Sequence, residues 1–140
     1  MNIINDNLLA SLEAEFDDDD LRRFQREVLA TVEIASVRGV LFDLSKVRVL
    51  DSYQFSQLVE TAKMATLLGA KPIFVGFQAG VASSLIDFDV DLDAIETVVT
   101  VEDGLERLSL EQDRHQGNTA AEEKDISFDH QGETNDGNAP

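Results

Sequence analysis

The 140-residue chain sets 11 Lys and Arg against 28 Asp and Glu, a net charge of −17, and 43% of it is apolar. That is enough for one core, in a field that repels phosphate backbones and anionic membrane surfaces and so argues against nucleic acid as a partner. With no cysteine there is no disulfide framework, thiol nucleophile or cysteine-held metal, and the N-terminal stretch runs into Asp17 to Asp20 without a basic n-region or a long apolar segment, which predicts a cytoplasmic protein with neither signal peptide nor membrane insertion.

Ile3 to Glu13 holds two short apolar runs around Asn5, Asp6 and Asn7, residues that tolerate left-handed backbone, and predicts a β-hairpin. Asp17 to Asp20 then give a negative start to a helix. Its apolar positions Leu21, Phe24, Val28, Val32 and Ala35 recur at helical spacing, with Gly39 as the stop. Asp18 with Arg22 and Asp19 with Arg23 are expected as supporting four-residue pairs.

Gly39 to Val47 is a mostly apolar run of strand length, the pattern of a strand covered on both faces. A helix opening at Asp51-Ser52 follows, with Phe55, Leu58, Val59, Ala62 and Ala65 on one face and Gly69 as its stop. The next strand lies within Gly69 to Phe77, a short helix within Ala79 to Phe88, a last strand over Ile95 to Val101 and a closing helix over Val101 to Glu111, despite Gly104. Strands alternating with helices after a hairpin imply an α/β fold with a mainly parallel central sheet covered by helices. From Glu111 onward there are eight acids and two bases, and Ile126 and Phe128 are the large apolar residues. Residues 112–140 therefore read as an acidic disordered tail beyond a domain of residues 1–111; the "HQG" at His115 and again at His130 is too short to count as a repeat.

Catalytic constellations are sparse. Both histidines fall in the tail, where nothing orients an imidazole toward a serine, and the glycines form neither dinucleotide nor P-loop fingerprints. The alternating acids of Asp87 to Glu96 invite a calcium loop, but counting from Asp91 puts Glu96 where the sharp turn demands glycine and Ile95 where a ligand belongs. A phosphoryl-accepting receiver domain would need a lysine after its last strand, whereas Lys71 precedes a strand. No cofactor, metal site or enzyme activity is expected.

What stands out is Asp51-Ser52. Asp51 is a good N-cap and Gln54 falls where a capping-box partner reaches back. Ser52 then opens the helix, either as an indifferent first-turn residue or as a place where a phosphate can be accommodated by the free N–H groups and the positive end of the helix dipole.

Gly39 to Phe88 and Ile95 to Leu108 carry a strand ending Asp43-Leu44-Ser45, an Asp-Ser pair opening a helix, a helix end Gly69-Ala70-Lys71 and a closing Val101-Glu102-Asp103-Gly104-Leu105-Glu106. This pattern resembles the STAS domain of anti-sigma-factor antagonists, most of all the RsbS-type stressosome branch, over about residues 1 to 110. The resemblance implies a STAS fold and a non-enzymatic phospho-switch: a domain that binds a serine kinase, is phosphorylated by it at Ser52 and releases it, with a serine phosphatase resetting the cycle and other STAS proteins sharing a large assembly that regulates stress-response transcription. Tyr53-Gln54-Phe55 replaces the small residues that follow the acceptor in many members and is like the RsbS-type branch. Val49, Asp51, Tyr53, Gln54 and Gln57 are the expected partner-binding residues. Ser45, Ser56, Ser83 and Ser84 are rival acceptors, Asp89 stands where relatives often have a turn glycine, and an accessory STAS subunit of a membrane transporter ATPase is the alternative role.

Overall fold

The computed structural model describes residues 1–82 and 95–114. The chain divides into two units, Met1–Leu108 and Ser109–Pro140; the first holds the sheet, and the described residues of the second, 109–114, are helical.

The hairpin forms as its turn chemistry dictates. β1 (Asn2–Ile4) pairs antiparallel with β2 (Asn7–Ser11), Ile3 opposite Leu8. Asn5 and Asp6 take φ of 51° and 66°, the left-handed pair that matches a tight turn to the twist of its strands. Asn7 begins β2 instead, and its amide donates to the Asn5 carbonyl at 3.1 Å.

α1 (Asp18–Ala35) starts at Asp17, whose carboxylate accepts from the Asp20 N–H at 2.8 Å while Asp20 accepts from the Asp17 N–H at 3.1 Å. That backbone bond, with Arg23 beside it, holds the Asp20 carboxyl below its ordinary range. The ion pairs on this helix are Asp19 with Arg22 and Asp20 with Arg23, one residue closer than the expected four-residue spacing. The helix also ends before Gly39: Ser36 turns left-handed at φ 54°, Ala35 is exposed, and Gly39 is the first residue of the next strand.

β3 (Gly39–Asp43), β4 (Lys71–Val75) and β5 (Thr97–Val98) continue the sheet in parallel, in the spatial order β1-β2-β3-β4-β5. Between β3 and β4 lies α2 (Ser52–Leu67). Residues 79–82 (α3) and 101–114 (α4) are also helical, giving four helices among the described residues. Ser83 to Phe88 of the expected short helix lie outside the described residues.

Two strands are shorter than their apolar runs. β3 stops at Asp43 because its carboxylate accepts from the Ser45 N–H at 3.0 Å, turning the chain. The final run supplies only Thr97 and Val98 to the ladder; the Thr100 hydroxyl then accepts from the Asp103 N–H at 3.1 Å, so Val101 enters a helix. That helix extends to residue 114, past the expected Glu111, and the tail from residue 115 lies outside the described residues.

The sheet is covered on both faces. Val40, Phe42 and Phe74 face α1 and α2, joined by Phe24, Phe55, Leu58 and Ala65; Leu41, Ile73 and Val75 face Leu108, with Val101 and Leu105 against them. Alternation along each strand divides the two cores. Gly104 is a packing requirement: a Cβ there would lie 2.6 Å from Leu41 Cδ2, so the helix can lie this close to β3 only without a side chain.

Candidate functional site

The start of α2 is fixed from inside by phenylalanines. Phe42 and Phe74, paired across β3 and β4, stack with centroids 5.1 Å apart. Phe55, in the first turn of α2 and 1% exposed, tilts against Phe74 at 6.4 Å and Phe77 at 6.2 Å. Its backbone N–H donates to the Asp51 carbonyl at 3.0 Å. Burial of one ring therefore sets where the helix begins.

The capping box is formed as the sequence implies. Gln54 N–H donates to Asp51 Oδ1 at 2.7 Å, and Asp51 N–H donates to Gln54 Oε1 at 3.1 Å. Ser52 is the first helical residue and is exposed, and among the described residues its hydroxyl makes no hydrogen bond. No acid occupies the first turn inside the cap, so the positive end of a 16-residue helix points toward solvent beside a free hydroxyl.

The loop ahead of α2 is held by its neighbours. Leu44 N–H donates to the Val75 carbonyl at 2.9 Å, and the Gln78 amide to the Ser45 carbonyl at 2.6 Å. Gly76, at φ 76°, lets the loop after β4 pass there; a Cβ would sit 2.9 Å from Ser45 Cβ. Lys46 pairs with Glu13 at 4.0 Å. Val47 and Leu50 are buried while Val49, between the two, stands exposed, as does Tyr53.

Of the expected contact residues, Val49, Asp51 and Tyr53 are exposed around Ser52 and Gln54 is half-buried. Gln57 is placed differently. Its carbonyl and side-chain oxygen accept from the Gln25 amide on α1 at 2.9 and 3.3 Å, and the same amide reaches the buried Thr61 hydroxyl at 2.8 Å. Gln25 is a neighbour of this surface that local patterns do not reveal, since it lies 32 residues from Gln57 in sequence. Among the rival acceptors, the Ser56 hydroxyl donates to the Tyr53 carbonyl at 2.7 Å, and Ser45 is exposed in the loop. Ser83, Ser84, Asp89, both histidines and the first four positions of the calcium-loop reading lie outside the described residues.

Elsewhere, Glu96 pairs with Lys71 at 3.1 Å and with Arg107. Partial burial alone would raise its carboxyl, but the hydrogen bonds from Lys71 and Arg107 and their charges outweigh this and hold it below its ordinary value. Among the described residues no group of three or more His, Asp or Glu could hold a metal ion, and no helix is long and apolar enough to cross a membrane.

A family model described as the STAS domain matches residues 1–104. A serine-to-glutamate variant of RsbS from Moorella thermoacetica has a similar structure, with a TM-score of 0.69 and 26% identity over 77% of this chain and 92% of that one. A chain of the stressosome, described as a signal integration and transduction hub, gives a TM-score of 0.67 and 26% identity over 76% and 92%. The YezB protein of Bacillus subtilis (strain 168) is 31% identical over 87 residues, which is 59% of this chain and 89% of YezB.

Proposed function

The chain belongs to the STAS-domain family, and from that premise we propose that it is an anti-sigma-factor antagonist of the stressosome type, switched by phosphorylation of Ser52. The observation that carries this reading is the exposed, unbonded Ser52 hydroxyl at the first position of a capped helix. The likeness to RsbS and to a stressosome chain supports it.

In this reading the protein is a substrate and scaffold, and the chemistry belongs to a serine kinase. The Ser52 Oγ attacks the γ-phosphorus of the kinase's Mg-ATP, the bond to ADP breaks, and the hydroxyl proton passes to a base on the kinase. The product gains about −1.5 to −2 charges at neutral pH. The free N–H groups at the start of α2 hold that phosphate, and its charge, added to that of Asp51, repels acidic groups of whatever covers Val49, Asp51, Tyr53 and Gln54. Gln57 sits at the edge of this surface, tied to α1 by Gln25. A phosphatase resets the switch, other STAS proteins share the assembly, and the protein works in the cytoplasm. Residues 1–111 form the switching domain and residues 112–140 an acidic extension.

Intact-mass analysis after incubation with an anti-sigma-factor-type serine kinase and Mg-ATP tests the assignment. Wild type gains one phosphate and Ser52→Ala gains none. Undiminished labelling of Ser52→Ala would move the acceptor elsewhere.

A further inference from the structure

The surface around Ser52 differs in charge from the rest of the chain. Over Leu44 to Phe55 the charged residues are Lys46, Arg48 and Asp51, a net of +1 in a chain of net −17. Asp51 is engaged as the cap of α2, and Lys46 has Glu13 at 4.0 Å. Among the described residues, the exposed Arg48 guanidinium makes neither an ion pair nor a hydrogen bond. Most exposed bases here are met by an acid: Arg22 by Asp19, Arg23 by Asp20, Lys63 by Glu60, and both Lys71 and Arg107 by Glu96. What sets Arg48 apart from the other unpaired arginines, Arg26, Arg38 and Arg114, is its neighbours: Val49 directly after it and Tyr53 in the first turn of α2 are 78% and 49% exposed. Consecutive Cα atoms lie about 3.8 Å apart, so whatever covers Val49 also meets Arg48.

We propose that Arg48 is a specificity-determining residue of this surface, docking against a carboxylate on a partner face that also receives Val49 and Tyr53. The inference rests on the proposed function, in which that partner is the serine kinase. Arginine and tyrosine are the side chains that dominate binding energy at protein interfaces, and a free guanidinium fork matches a carboxylate. Charge selects the kind of partner. A basic face would be drawn to most of a chain of net −17 but opposed at Arg48, whereas an acidic face finds its counter-charge here and repulsion elsewhere. The same charge explains release. A phosphate of about −1.5 to −2 on Ser52 turns the local +1 into about −0.5 to −1, so the carboxylate that Arg48 attracted is repelled.

Isothermal titration of an anti-sigma-factor-type serine kinase, without ATP, into the full unmodified chain reads the result. Arg48→Glu should bind at least about tenfold more weakly than wild type, and Arg48→Lys, which keeps the charge but loses the fork, should lose less. Circular dichroism should be unchanged, because the side chain is exposed. Arg38→Glu changes the net charge by the same amount, ahead of β3 instead of after it, and should bind within about twofold of wild type. Equal binding of Arg48→Glu and wild type, or an equal loss in Arg38→Glu, would overturn the proposal. The two readings fail separately: a kinase that needs Arg48 to bind but leaves Ser52 unmodified in the intact-mass assay sinks only the switch, and one that phosphorylates Ser52 but binds Arg48→Glu as well as wild type sinks only this inference. A kinase with no affinity for wild type overturns both.

Discussion

The two ends of α2 use one helix in opposite ways. At the N-terminal end Asp51 accepts from the Gln54 N–H and Gln54 from the Asp51 N–H, and a free hydroxyl stands in the positive field of the backbone with Val49 and Tyr53 exposed beside it. At the C-terminal end there is no basic residue in the last turn to meet the negative pole, and the exposed surface is leucine and methionine. A helix offers an anion only one of its ends. The other can be given over to apolar contact without disturbing the first.

The comparison fails most visibly if the two ends are not independently anchored. Phe55→Ala removes the ring that seats the first turn against Phe74 and Phe77, and should cost about 3–5 kcal/mol of stability by urea denaturation. A loss below about 1 kcal/mol would mean the first turn is not seated by that ring. Asp51→Ala should cost about 1 kcal/mol and Asp51→Asn only a few tenths, because asparagine caps as well as aspartate. Equal losses in both would shift the effect from capping to charge.

Acid acts away from the Ser52 end. Glu96 is held below its ordinary value, so its ion pairs contribute stability that is present above the normal carboxylate range and lost as pH falls through the lowered value. Glu96→Gln should therefore be less stable than wild type near neutrality by under about 1 kcal/mol, with the two converging well below pH 4. Thermal melts between roughly pH 3 and 7 check the sign. Smallest of all, Leu67→Glu should change stability by no more than about 0.5 kcal/mol, because the side chain is already in water.

Local chemistry explains what the sequence revealed. The left-handed Asn5-Asp6 turn, the Asp51–Gln54 box and the stop at Gly69 depend on residues within four positions of one another, and each formed where those residues lie. The Gln25–Gln57–Thr61 link joins two helices across 32 and 36 residues, and no periodicity announces it. Ile95 to Val101 has the apolar content of a longer strand, yet a hydroxyl at Thr100 ends it by capping the next helix. Exposure was equally hidden: Leu67 fits the apolar content of a helix, and only the packing shows that it faces solvent.

The central claim is that charge added at Ser52 ejects the partner covering the start of α2. Isothermal titration of the partner kinase, with ATP withheld, into unmodified and Ser52-phosphorylated protein tests it directly. The account predicts binding at least about tenfold weaker to the phosphorylated form; equal affinity for the two forms would contradict it.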